Sequence, residues 1–336
     1  MSVASQELQV LRAAQIRERP ADEPRWLIEP LWGAGAVGVI GGAPKSCKTW
    51  LALEMAVAVA SGRPCLGRFP VPRPGPVLLF GAEDAPQQLK DRLQSLARAR
   101  QADFLTLDVR LIVENSLRLD CAQDLQRLRL TLARHRPKLL VLDPYVRLQR
   151  ADENDVRQVS AILSALRELS RTFEAAVALV HHARKNAAQL PGQALRGSGD
   201  FWAWGDSNLY IARKRDALLL TVEHRGAPSP PPLSLHLVAR DAGHDEGQSP
   251  VCLQVHDAPS PAERGPSANV RSSSGPPAAL LPRILAYLAQ AGPARHRTLR
   301  SALRIRDKRL SEALRGLEAA GRVARTSRGW TLSPIQ

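Results

Sequence analysis

From residue 34 to about 240, short apolar runs alternate with longer segments whose apolar positions recur every three or four residues. The runs are AVGVIG (36–41), PVLLFG (76–81), VRLIV (109–113), KLLVLD (138–143), AVALVH (176–181), NLYIA (208–212), LLLTVE (218–223) and LSLHLV (233–238). Most lack polar alternation and are rich in Leu and β-branched residues, as in strands covered on both faces. Between the earlier runs lie TWLALEMAVAVASG (49–62) and NDVRQVSAILSALRELSRTF (154–173), both with helical spacing. Strand–helix alternation of this kind predicts an α/β fold with a mostly parallel central sheet. The later runs sit closer together and predict an antiparallel edge.

The pattern breaks at 257–277, DAPSPAERGPSANVRSSSGPP, where Pro, Ser and Gly replace large apolar residues. That is a linker composition. Beyond it, LLPRILAYLAQAG, RTLRSALR and RDKRLSEALRGLEAAG read as three helices and RVARTSRGWTL as a hairpin. Three helices and a hairpin in so short a stretch predict a small winged helix-turn-helix domain. The expected organisation is an extension at 1–23, a large domain at 24–256, the linker at 257–277 and a basic domain at 278–336.

Composition narrows the function. The chain has 336 residues, 44% of them hydrophobic, enough for a substantial core. No apolar run approaches bilayer length, and residues 1–20 lack the apolar centre of a secretory signal, so no membrane partner is expected. Cys47, Cys65, Cys121 and Cys252 are scattered without a CxxC pair, which argues against a zinc site or disulfide framework and for the reduced cytoplasm. Lys and Arg total 47 against 32 acids, a net charge of +15 that favours polyanions. Because 40 of the 47 are Arg, a compositional bias, the excess carries weight only where it clusters. It does cluster: residues 278–336 hold 12 basic residues and only three acids, Asp307, Glu312 and Glu318.

The chemistry concentrates at Gly42-Ala43-Pro44-Lys45-Ser46-Cys47-Lys48-Thr49, between a predicted strand and a predicted helix that begins near Trp50. A phosphate loop needs small residues so that backbone N–H groups can turn towards phosphates. It also needs a Lys for the outer phosphates and an adjacent hydroxyl for Mg²⁺. Lys48 and Thr49 fill the last two places. The departure is Cys47, where the pattern has its final Gly. Leu139–Asp143 is an apolar strand ending in a carboxylate, positioned to hold Mg²⁺ with Thr49. Glu83 ends the second strand at the edge where parallel sheets bind ligands, although Glu83 or Asp84 could instead cap the helix begun by APQQL.

The ordered series PRWLIEPLWGAGAVGVIGGAPKSCKTWLALE, PVLLFGAED, KLLVLDPYVRLQRADENDVRQV, AVALVHHARK and LRGSGDFWAWGDSNLY resembles the RecA-like P-loop ATPases of the plasmid RepA type, relatives of hexameric replicative helicases. The resemblance covers roughly residues 24–240. It implies ATP and Mg²⁺ as cofactors and Glu83 as the general base. It also implies a sensor of the γ-phosphate at His181 or His182, and a DNA-facing loop at 186–200 with Lys185 and Arg196 as cationic contacts. Val222–Pro228 is similar to the helicase segment whose Arg reaches a neighbouring subunit's nucleotide, which makes Arg225 the candidate trans arginine. Arg213 and Arg215 are the alternatives. The implied partners are single-stranded DNA at the central loops and copies of the chain in a hexamer, with further replication proteins as candidates. Duplex DNA is the expected partner of the basic tail, through Arg306, Lys308, Arg309 and Arg315 on a recognition helix at 306–319. Arg322, Arg325 and Arg328 would lie in a wing packed down by Trp330. The implied function is a helicase in plasmid or mobile-element replication. The alternatives are a nucleotide-switched DNA-binding regulator and a helicase loader or adaptor.

Overall fold

A computed structural model describes residues 10–16, 18, 20, 22–149, 156–182, 200–214, 217–239, 250–256, 280–303, 307–326 and 329–333. The predicted loop at 186–200 lies outside these residues save for Asp200, as do Lys185, Arg215, Arg306, Arg328 and the linker 257–277; the side chains of Lys308 and Arg309 are also outside the description. The chain forms two units, Met1–Ala258 and Pro259–Gln336.

After a short 3-10 turn at Ala13–Gln15, the larger unit forms a strap of two short antiparallel strands, β1 (Trp26–Ile28) and β2 (Trp32–Gly33). Then follow β3 (Val37–Gly42), α1 (Lys48–Ser61), β4 (Val77–Gly81), α2 (Pro86–Ala99), β5 (Val109–Leu111), α3 (Ala122–His135) and β6 (Leu139–Asp143). The unit continues with α4 (Val156–Phe173), β7 (Ala176–His182), α5 (Asp200–Trp204), β8 (Ser207–Lys214), β9 (Ala217–His224), β10 (Leu233–Ala239) and β11 (Val251–His256). Nine strands make one sheet in the order β11-β10-β9-β8-β3-β7-β6-β4-β5. From β8 to β5 all neighbours are parallel, and β9, β10 and β11 add the antiparallel edge.

Period-two alternation sends successive side chains of each strand to opposite faces. Leu139 and Val141 of β6 join one core with α1 and α2, while Leu140 and Leu142 join a second core with α3 and α4. Ala178 and Val180 of β7 divide from Val177 and Leu179 in the same way. Apolar runs without alternation therefore mark strands buried twice. α1 is buried almost all round from Leu51 to Val59, between the sheet and α2. Its one acid, Glu54, is fully buried and bonds Arg100 at 2.5 Å and the Leu66 N–H at 2.9 Å. Arg100 in turn donates to the Leu253 carbonyl of β11 at 2.6 Å, so one ion pair ties α1, the end of α2 and the far sheet edge. At Gly38 the strands approach so closely that a Cβ would meet the Ser207 carbonyl oxygen of β8 at 1.7 Å.

The smaller unit contains α6 (Leu280–Ala291), α7 (His296–Leu303), α8 (Asp307–Ala319) and an antiparallel hairpin of β12 (Val323–Thr326) and β13 (Gly329–Leu332). Ala294, between α6 and α7, bridges Trp330 of β13 with backbone bonds of 2.9 Å in each direction. Ile284, Leu299, Leu310, Ala313 and Leu314 form its own apolar core, against which Trp330 packs.

Candidate active site

Parallel strands deliver their C-terminal ends to one edge, and the crevice beyond it is where open α/β sheets bind ligands. Gly42 of β3 pairs in register with His182 of β7, and Gly81 of β4 with Asp143 of β6. The chain after each of these strands meets at a cavity of about 330 Å³ lined by Lys45–Trp50, Glu83, Asp84, Arg92, Asp143 and His182.

The loop from β3 to α1 has the features that a phosphate requires. A Cβ on Gly42 would lie 2.4 Å from the Ile211 carbonyl oxygen and 2.7 Å from Ser46 Oγ, so only glycine fits where the loop leaves the sheet. Lys45 and Cys47 both take positive φ, 63° and 66°. Cys47 is the residue capping α1, and its left-handed conformation strains any side chain but glycine's by about 1 kcal/mol or more. The thiol lies half-buried at the cavity wall; burial raises its pKa, and Arg213 and Lys48 oppose the rise. Lys48 begins α1 and is buried, its ammonium donating to its own loop at the Ala43 carbonyl, 2.8 Å away. Burial lowers its pKa, and Asp143 and Glu83 counter that effect. Ser46 Oγ is buried without a hydrogen-bond partner among the described residues. A buried hydroxyl is costly to leave unsatisfied, and an incoming phosphate oxygen fits it.

Asp143 is buried at the end of β6, which pushes its carboxyl up to about 6 despite a hydrogen bond from Thr49 and the charge of Lys48. Asp84 and Glu83 push in the same direction as burial. A hydroxyl and a carboxylate already in contact are hard oxygen donors of the kind Mg²⁺ takes alongside nucleotide phosphates, so the residues present fit that ion. Glu83 lies across the cavity, about half exposed, and accepts from Arg147 Nε at 3.2 Å.

Neither Glu83 nor Asp84 caps the helix that follows. The capping residue of α2 is Ala85, no side chain caps that end, and Pro86 starts the helix. Asp84 instead accepts from Arg92 Nη1 at 2.6 Å, and the Arg92 guanidinium stands 5.7 Å over the Trp50 ring. The two histidines also divide. His181 is buried, stacked on Phe201 at 4.3 Å and edge-on to Tyr145 at 5.4 Å, whereas His182 faces the cavity.

Arg225 is not at its own chain's cavity. β9 runs antiparallel to β8, so it ends at the opposite sheet edge, where His224 pairs with Ser207. There Arg225 binds the Ala203 carbonyl and the Asp206 carboxylate, which Arg167 also holds at 2.9 Å. Arg213 does lie beside its own phosphate loop, 3.4 Å from the Lys45 carbonyl oxygen. The roles of Arg92, Arg147 and Arg167 were missed by sequence reasoning, because nothing local marks an Arg whose partner lies elsewhere in the fold.

A mostly parallel α/β sheet with a phosphate loop, a strand-end Asp and a Glu around one cavity defines a P-loop ATPase. Over residues 4–188, more than half its length, the chain matches the AAA_25 family, an AAA domain, and it belongs to that family. Similar solved structures include the RadB recombinase, 17% identical over 61% of this chain and 88% of that one, with a TM-score of 0.46. A KaiC-like protein from the hyperthermophilic archaeon Pyrococcus horikoshii is 15% identical over 68% and 93% of the two chains, with a TM-score of 0.47. A DnaB-like replicative helicase is 17% identical over 61% of this chain, with a TM-score of 0.47, and the match spans 56% of the helicase. Among the described residues, no helix is long and apolar enough to cross a membrane.

Proposed function

We propose that the chain is an ATP-hydrolysing, DNA-acting homo-oligomer, a hexamer of the RepA type that serves as a helicase in plasmid or mobile-element replication. The observation that carries the enzymatic part is the meeting of Lys48, Thr49, Asp143, Glu83 and His182 around one cavity. When bound through Thr49 and Asp143, Mg²⁺ supplies neutralising charge to the outer phosphates. Lys48 exchanges the Ala43 carbonyl for phosphate oxygens, and the Ser46 hydroxyl gains the partner it lacks. Glu83 takes the proton of the attacking water once Arg147 releases it. His182 senses the terminal phosphate. Arg225 acts on a neighbouring copy's nucleotide, a reading supported by its distance from its own cavity and by the likeness of Val222–Pro228 to the helicase segment.

The DNA reading rests on the motif series and on the basic small unit. Three helices, a bridging strand residue and a hairpin support a winged helix. Arg315, Arg322 and Arg325 are exposed there and suited to phosphates, whose neutralisation releases counterions and drives binding. The test of the site is ATP turnover by Lys48→Ala. A fall of about 100-fold or more is expected, on the scale of losing one charge-stabilising donor, and wild-type turnover overturns the assignment.

A second reading, a nucleotide-switched DNA binder without unwinding activity, is favoured by one observation, the strained Cys47 in the loop. ATP-dependent strand separation of a forked duplex eliminates it; duplex binding that follows the nucleotide state without separation supports it.

A further inference from the structure

The phosphate loop carries a feature that nucleotide hydrolysis does not use, the Cys47 sulfur. Cys47 and Ser46 line the same cavity, where the buried Ser46 hydroxyl without a partner marks the place of a ligand. Cys65 and Cys252 are fully buried, while Cys47 and Cys121 are only partly buried, and Cys121 lies apart at the start of α3. Lys45 and Lys48 flank the sulfur in sequence and Arg213 approaches the loop from β8, so this wall of the cavity is cationic.

We propose that Cys47 is a thiol-exchange site for an anionic low-molecular-weight disulfide of the glutathione class, and that the adduct excludes nucleotide. The inference rests on the reading of the cavity as the nucleotide site. In the exchange the Cys47 sulfur attacks one sulfur of the disulfide. A new S–S bond forms, the old one breaks, and the thiol proton leaves with the departing thiol; a reducing thiol reverses each step. The attached tripeptide then occupies the space of the triphosphate. Its carboxylates meet Lys45, Lys48 and Arg213, the cations that would otherwise hold phosphate. Steric exclusion and competition for charge act together, so adduct and nucleotide are mutually exclusive.

The experiment uses the full chain and oxidised glutathione. Peptide mass spectrometry locates the adduct, and calorimetry with ATP and Mg²⁺ follows binding before treatment, after it, and after dithiothreitol. The expected result is an adduct at Cys47 that ATP suppresses, a loss of nucleotide affinity of at least about 10-fold, and full recovery on reduction. Cystamine, a cationic disulfide, should label Cys47 more slowly than oxidised glutathione. The Cys121→Ser variant should keep the response, and Cys47→Gly should lose it at whatever affinity that variant has. Retained affinity in the Cys47 adduct overturns the proposal, as does a response that survives in Cys47→Gly. Untreated protein that binds no nucleotide overturns the site reading and the thiol proposal together. Untreated protein that binds, with treated protein binding equally, removes only the thiol proposal.

Discussion

Burial raises the Asp143 carboxyl from 3.8 to about 6, so at neutral pH the fold retains a charge that it would hold more cheaply as the neutral acid. The folded form then binds this proton more tightly than the unfolded chain does. Its contribution to stability is greatest below pH 4, declines as pH rises towards 6, and is flat above that. Asp143→Asn removes the charge and should therefore stabilise the metal-free protein at pH 7.5 by about 2–3 kcal/mol as an upper bound, with no gain at pH 4. Thermal melts at the two pH values check this, and equal melting temperatures for variant and wild type at pH 7.5 would falsify it. In the proposed site the same carboxylate must be ionised to take Mg²⁺, so Mg²⁺-dependent nucleotide affinity should fall as pH drops through 6. At this scale the sequence was legible where the cavity lining comes from consecutive residues, as at Lys48 and Thr49. It was silent about Arg147, whose partner Glu83 is 64 positions away, and about the division of roles between two adjacent histidines.

Strands were legible because burial on both faces leaves a run without polar interruption, as at Leu139–Asp143. β11 was missed: Gln254 and His256 punctuate it, and it faces α1 and α2 with one side only. The run at 109–113 was read too long. As the outermost strand, β5 has a single partner whose ladder ends at Leu111, and Val113 stands in solvent. The strap of β1 and β2 is too short for any period to register. Nor does a period reveal the pair Glu54–Arg100, since Glu54 reads as a polar position on a helix yet is fully buried. Removing one partner leaves a buried charge alone, so Glu54→Ala should lose about 3–5 kcal/mol in urea unfolding. The double variant Glu54→Leu, Arg100→Met should be more stable than either single change. A double variant no better than the worse single one counts against a desolvated pair as the link between α1 and β11.

Across the whole molecule, Lys48 and Arg225 lie at opposite edges of one sheet, and the proposed assembly uses both. A complementation experiment is decisive for the trans assignment. Lys48→Ala and Arg225→Ala should each abolish turnover alone. Mixed in equal amounts they should recover a measurable fraction, because a Lys48→Ala copy can offer its Arg225 to an intact loop on an Arg225→Ala neighbour. Wild-type turnover in Arg225→Ala removes the assignment, and mixtures as inactive as their components point to an arginine that acts within its own chain.

In the proposed assembly, with Arg225 as donor and a neighbour's phosphate loop as receiver, placement on opposite edges has an arithmetic consequence. A head-to-tail row of such subunits always leaves one arginine idle at one end and one phosphate loop unserved at the other. Joining the two ends converts that idle pair into a working centre without any new kind of contact. In that proposed assembly ring closure adds one catalytic unit, and an opened ring loses it at a single, identifiable seam.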